Sequence, residues 1–262
     1  MTAEIVERVR RSSRYRTVDP ALVARLAAEE LPKARSLDDA VKRVKRRLHQ
    51  AVGAFRGARA ASAVGWPADD PVALREACLA AMREHASTRE RAPHLPAFYP
   101  AVWDVTGMPR SVLDLGCGLN PLALPWMGIG GAMYRAIDVD AGTLDVARGF
   151  LESVGQPHSA EVRDLVADVP DEAADVALLL KLVTTLDRQD ADAATGLLRG
   201  LRVDHAVVTF AARSLGGRGN HERTYRARLE RLVGESGRVR NVAEASVPGE
   251  LVFILELEPI DG

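Results

Sequence analysis

Val112-Leu113-Asp114-Leu115-Gly116-Cys117-Gly118-Leu119-Asn120-Pro121 is an apolar run entering a turn that carries two closely spaced glycines. Glycine at 116 and 118 lets the backbone approach a ligand, and the helix that follows presents its free N–H groups. Dinucleotide-binding folds use such a loop too, but here Asp114 precedes the first glycine and Asn120-Pro121 replaces the fingerprint's third. Both details favour S-adenosylmethionine over NAD. The next apolar run, Tyr134-Arg135-Ala136-Ile137, ends in Asp138, about 20 residues after the glycines, where an acid can accept from both ribose hydroxyls. Asp140 is read as the cap of the following helix. Asp164 sits where these folds place an acid or amide against the adenine amino group; taken alone, it is equally a loop aspartate.

Downstream of Ser111, short apolar runs alternate with helical or loop segments, the texture of an α/β fold. Strands are expected at 111–115, 133–137, 159–163, 175–181 and 205–210, then a pair at 239–246 and 250–257 joined by Pro248-Gly249. This predicts a mostly parallel seven-stranded sheet with a terminal antiparallel hairpin, the Rossmann-like architecture of class I methyltransferases. The first hundred residues read as all-helical. Asp19-Pro20 starts one helix, Ser36 with Asp39 has capping-box spacing for a longer one, and a third lies near Val72 to His85. The expected division is a helical domain over 1–104 and a cofactor-binding domain over 105–262.

Residues 1–100 carry a charge balance of +7 and the remainder −8. The long helix shows an apolar face at Val41, Val44, Leu48, Val52 and Phe55, and a basic face of Lys42, Arg43, Lys45, Arg46, Arg47 and His49 with no acid between them. Phosphate contact and a merely solvated face are both open for it. Met1 to Arg16 lacks the apolar core of an export signal, so a cytoplasmic address is expected; no apolar run approaches a membrane span. Cys78 and Cys117 have no metal-ligand spacing, and neither disulfide nor metal is expected.

The place of the Asn/Asp-Pro-Pro-aromatic motif of exocyclic-amine methyltransferases is taken by Leu179-Leu180-Lys181-Leu182-Val183, and neither cysteine follows a catalytic-looking strand end as C5 methylation requires. What remains is transfer to a lone pair such as a ring nitrogen, which needs alignment and base stacking but no prior proton removal.

The chain resembles the aminoglycoside-resistance 16S rRNA (guanine-1405-N7)-methyltransferases of antibiotic-producing bacteria. The likeness runs from about Arg11 to Leu257 through Ser13-Arg14-Tyr15, Asp39-Ala40-Val41-Lys42-Arg43, Leu48-His49, Gly53-Ala54-Phe55, His85-Ala86-Ser87-Thr88-Arg89-Glu90-Arg91, Cys117-Gly118-Leu119-Asn120-Pro121-Leu122 and Pro125-Trp126-Met127. It implies a helical domain that docks 16S rRNA within the 30S subunit, and an enzyme that methylates a decoding-site guanine and so blocks gentamicin- and kanamycin-type drugs; another rRNA position, a small-molecule substrate and a noncatalytic ribosome-binding role are the alternatives, and a monomer is expected. It also implies that Phe55, His85, Ala86, Ser87 and Arg91 line the cofactor pocket, with Arg91 on the methionine carboxylate, Leu165 beside the adenine and Lys181 facing cofactor and target. Without it, Ser87 and Glu90 read as a capping box, Arg91 as surface, and Lys181 as a snorkelling strand end. Trp126 is open between stacking on guanine and packing. The chain departs from the family at Val183 and Asp187, where Pro and Glu are typical, and at Phe210-Ala211-Ala212-Arg213, where Phe-Pro-Thr-Lys is. Arg213 retains the positive charge as a catalytic candidate, and Arg218 adds a second for phosphate.

Overall fold

The computed structural model describes residues 1–52, 65–84, 86–211 and 221–260, apart from the side chains of Ala86 and Ser87. Three N-terminal helices come first: α1 (Thr2–Arg10), α2 (Pro20–Glu30) and α3 (Leu37–Val52). Asp19 caps α2 by accepting the Ala21 N–H at 2.9 Å, with Pro20 at the first helical position, where its missing donor costs nothing. Ser36 Oγ accepts the Asp39 N–H at 3.2 Å, but the Asp39 carboxylate returns to the Arg35 N–H at 3.0 Å, one residue earlier than the expected box would have it. These helices bury Ile5, Val9, Leu22, Leu26, Val44 and Leu48 in a core of their own.

Helices α4 (Pro71–Glu84), α5 (Ala86–Arg89) and α6 (Leu95–Thr106) lead to β1 (Ser111–Leu115), α7 (Leu124–Met127), β2 (Met133–Asp138), α8 (Ala141–Ser153), β3 (His158–Val162), β4 (Ala174–Leu180), α9 (Val183–Asp187), α10 (Ala193–Gly200), β5 (Val203–Ala211), α11 (Glu222–Ser236), β6 (Val239–Val247) and β7 (Glu250–Leu257). The strands form one sheet in the order β3-β2-β1-β4-β5-β7-β6. Pairing is parallel from β3 through β5, while β7 runs antiparallel to both β5 and β6.

Strand alternation divides the apolar side chains between two faces. Val176, Leu178 and Val207 face a core shared with Leu74 of α4, Phe98 of α6 and Phe150 of α8. Ala177, Leu179 and Val208 face one shared with Leu186, Leu197 and Leu229 of α9, α10 and α11. Full burial of a valine, leucine or phenylalanine side chain contributes roughly 1.5–3 kcal/mol. The expected division after 104 falls inside α6, and α4 and α6 pack on the sheet rather than with α1 to α3. The separate helical core therefore ends near Val52. No described helix is long and apolar enough to cross a membrane.

α1 to α3 dock beside the first crossover through backbone bonds. Asp19 N–H donates to Val139 O at 2.8 Å, Ala141 N–H donates to Thr17 O at 2.9 Å, and Val18 forms an antiparallel bridge with Asp140. This places the end of α3 over the carboxyl ends of β2 and β3.

Candidate cofactor cleft and active site

Strand order reverses between β1 and β4, and a ligand crevice opens at such a switch point outside the strands' carboxyl ends. A cleft of about 790 Å³, counting its open mouth, lies there. It is lined by Gly116, Gly118, Asp138, Val139, Asp164, Leu165, Lys181, Leu182, Thr185, Leu186 and Gln189, with Ala51 and Val52 of α3 closing one side. Gly116 and Gly118 have φ of 61° and 52°, the left-handed region that glycine enters freely. A Cβ on Gly116 would stand 2.8 Å from Leu182 Cδ1, so a side chain there would fill the approach to the cleft.

Asp138 ends β2 and joins the two halves of the cradle. Its Oδ2 accepts the Gly118 N–H at 2.9 Å and its Oδ1 the Asp140 N–H at 3.0 Å. Burial pushes its carboxyl up to about 6, against the pull of these backbone donors. Asp140 caps α8 by accepting the Gly142 N–H at 2.9 Å, the role expected of it.

Asp114 lies beneath the loop rather than in the cleft. It accepts from the Tyr134 hydroxyl at 2.6 Å and the Asn120 amide at 3.0 Å, and burial pushes it to about 6 as well. Asn120 Oδ1 in turn accepts from Tyr99 at 2.7 Å and Arg91 at 3.1 Å. Asn120, next to the Pro121 that stands where a dinucleotide fold has its third glycine, is thus the node that ties the loop to α6.

Arg91 was expected at the methionine carboxylate and is 2% exposed, away from the cleft wall. A guanidinium this deep requires an anion, and Glu250, at the start of β7, supplies it at 2.8 Å, while Phe98 lies under the guanidinium. Although burial works against their charges, Glu250 holds Arg91 above its usual range, and Arg91 followed by Lys181 hold Glu250 below its own.

Lys181 follows β4 at φ 59°, a conformation that costs a non-glycine residue about 1–2 kcal/mol and is kept where surroundings over-determine it. Its N–H donates to Thr209 at O and Oγ1, and its ammonium lies 2.6 Å from Glu90 and 3.3 Å from Glu250. The snorkelling alternative does not hold, because the ammonium turns inward to two carboxylates.

Asp164 and Leu165 line the cleft as expected. Asp187, at the family's Glu position, is engaged by Arg228 at 2.6 and 2.7 Å on the far side of α9. Half-buried Trp126 packs on the main core with Arg75 over its ring, favouring the packing alternative. Phe55, His85, Arg213 and Arg218 lie outside the described residues, as do the side chains of Ala86 and Ser87.

The basic face of α3 divides in two. Arg43 and Arg47 are held by Glu30, at 2.8 and 3.1 Å, and Arg47 reaches Glu29 as well, so acids of α2 neutralise what the helix itself does not. Lys42, Lys45 and Arg46 make no ion pair among the described residues. Sequence reasoning also missed Arg25, Gln189, Tyr99 and Glu250. Only Gln189 had a signal, its place one short helix beyond the end of β4.

The family described as ribosomal RNA methyltransferase (FmrO) matches residues 11–254. The 16S rRNA (guanine(1405)-N(7))-methyltransferase of Frankia casuarinae is 41% identical over 95% of this chain and 91% of its own length. Its namesake from Micromonospora echinospora is 36% identical over 97% and 96%. The crystal structure of the 16S rRNA methyltransferase RmtF in complex with S-adenosyl-L-homocysteine superimposes with a TM-score of 0.84 at 33% identity, covering 98% of each chain. That of the 16S rRNA methylase RmtB gives 0.82 at 28% identity, covering 98% of this chain and 99% of its own. On a match running through both the helical cap and the cleft-bearing sheet, this chain belongs to the ribosomal RNA methyltransferase (FmrO) family.

Proposed function

We propose that this chain transfers a methyl group from S-adenosylmethionine to N7 of guanine 1405 in the 16S rRNA of assembled 30S subunits, as a cytoplasmic monomer, and thereby confers aminoglycoside resistance. The reading is carried by near-full-length similarity to proteins named for that reaction, on a chain whose cleft has the donor set for the cofactor. Asp138 is a crowded carboxylate bonded only to backbone N–H groups, which leaves acceptor capacity for ribose hydroxyls. Gly116 and Gly118 leave room for the methionine portion, and Leu165 with Asp164 frames the adenine. Phe55 and His85 to Ser87 complete the pocket in this reading.

The cofactor supplies an electrophilic methyl on a sulfonium. The guanine N7 lone pair attacks without losing a proton, so a unit positive charge passes from sulfur to base. Glu90 and Glu250 hold the Lys181 ammonium in one place at the end of β4. Lys181 orients the guanine by donating to its O6, and Arg213 and Arg218 meet neighbouring phosphates. Lys42, Lys45 and Arg46 contact the rRNA backbone directly, whereas Arg43 and Arg47 first hold α3 on α2.

Incubating purified protein with labelled cofactor and 30S subunits is expected to label guanine 1405, seen as cleavage at the methylated base after borohydride and aniline treatment. Labelling of free 16S rRNA alone, or of another position, contradicts the assignment.

A further inference from the structure

The adenine end of the cleft is built against a residue from the other core. Asp164, 5% exposed, is gripped by Arg25 of α2: Nε donates to Oδ2 at 2.7 Å and Nη2 to Oδ1 at 3.2 Å. The same Nη2 donates to Gln189 Oε1 at 2.9 Å, and Nη1 donates to Glu29 Oε1 at 2.9 Å. Asp164 Oδ1 also accepts the Val166 N–H at 3.1 Å. Arg25 itself does not line the cleft, whereas Asp164 and Gln189 do.

Two consequences follow from donor and acceptor chemistry. A planar guanidinium bonded through two nitrogens fixes the carboxylate plane as well as its position. With Oδ1 taken by Arg25 and the Val166 N–H, and Oδ2 by Arg25 Nε, Asp164 offers the cleft the remaining lone pair of Oδ2, in one direction. Gln189, whose oxygen is taken by Arg25, offers the cleft its NH₂. An acceptor and a donor set side by side recognise a ligand edge with an amino group next to a ring nitrogen, and repel one with a carbonyl oxygen where the amino group would be.

We propose that Arg25 is a positioning residue of the cofactor site, setting Asp164 and Gln189 so that the cleft selects a 6-aminopurine nucleoside over its 6-oxo counterpart. The inference rests on the cofactor reading above. It assigns to the N-terminal helices a part in choosing the cofactor, in addition to docking RNA. α3 shares the arrangement, because Arg47 donates to both Glu29 and the Gln189 carbonyl.

The test compares S-adenosylhomocysteine with S-inosylhomocysteine, which differ only in the purine 6-substituent and the N1 hydrogen that goes with the 6-oxo form, by calorimetric competition on one preparation at one pH. The ratio of the two Kd values does not depend on the folded fraction, and the shared ribose cancels any contribution from Asp138. Arg25→Lys keeps the charge but cannot grip both oxygens, and Arg25→Met removes the donors altogether. The native chain is expected to prefer the adenosyl ligand, and both variants to lower that preference about tenfold, as expected where a buried acceptor loses its alignment. Lysine should retain more of it than methionine. A preference unchanged within about twofold in both variants overturns the role of Arg25, since loss of one bidentate grip is worth more than that. Failure of the native chain to bind S-adenosylhomocysteine at all overturns the cofactor reading itself, and this inference with it.

Discussion

Replacing Asp138 by asparagine should separate binding from folding. A carboxyl that ionises near 6 rather than at its usual 3.8 carries up to about 3 kcal/mol of unfavourable burial at pH 7. Asparagine removes that cost and keeps the shape. Against this, one of the two N–H donors now at 2.9 and 3.0 Å meets an NH₂ instead of an oxygen, at about 1–3 kcal/mol. The two effects nearly cancel, so the urea midpoint should move little. Cofactor binding loses a charged acceptor for the ribose, about 3 kcal/mol or roughly a hundredfold in Kd. The sign with pH follows from the raised value. The folded protein takes up the proton before the unfolded chain does, so this group's contribution to stability rises as pH falls from 7 towards 4. Affinity runs the other way: below about 6 the native chain should lose about tenfold in S-adenosylhomocysteine affinity per pH unit, while the variant stays flat from 5 to 8. Asp114 also ionises near 6, but it lies outside the cleft and its titration falls on stability. Calorimetry across pH is the assay. A variant that binds within threefold of the native chain, or that keeps the same pH slope, refutes the role assigned to Asp138.

Gly116→Ala should cost about 1–2 kcal/mol in urea denaturation, because a left-handed φ is imposed on alanine, and should weaken S-adenosylhomocysteine binding as Leu182 shifts; an unchanged melt and an unchanged affinity together would contradict the cradle. Lys42→Glu, Lys45→Glu and Arg46→Glu combined should weaken 30S binding and lower its dependence on log salt by about three. Arg43→Glu should instead lower the urea midpoint, since it sets a new acid against buried Glu30, and filter binding over a salt series beside the melts distinguishes the two sets.

The strands were readable because each is a short apolar run bounded by turn residues, and all seven lie where the runs are, including the hairpin closed at Gly249. Gly116, Gly118 and Asp138 were readable for a similar reason: the loop and the next strand end lie about 20 residues apart, with spacing set by one crossover. Arg25 and Glu250 were not, because their partners lie 139 and 159 residues away and no local pattern encodes such pairings. The basic face of α3 misled in part, since helical spacing shows what a helix carries but not that Glu29 and Glu30 lie opposite. The division after 104 failed to coincide with the cores because helical periodicity looks the same whether a helix packs on helices or on a sheet.

The seam between Thr17 to Asp19 and Val139 to Ala141 also governs the order of events during synthesis. Ribosomes add about 5–20 residues per second, so Arg25 emerges roughly 7 to 28 s before Asp164, 139 positions later. For most of that interval the three N-terminal helices have only their own small core, with Glu29 as the one acid beside Arg25, and Val139 to Ala141, which meet Thr17 and Asp19, are made only shortly before Asp164. The first part of the chain to be made therefore waits for residues of the second half before it can dock, and the adenine end of the cleft is completed only when it does.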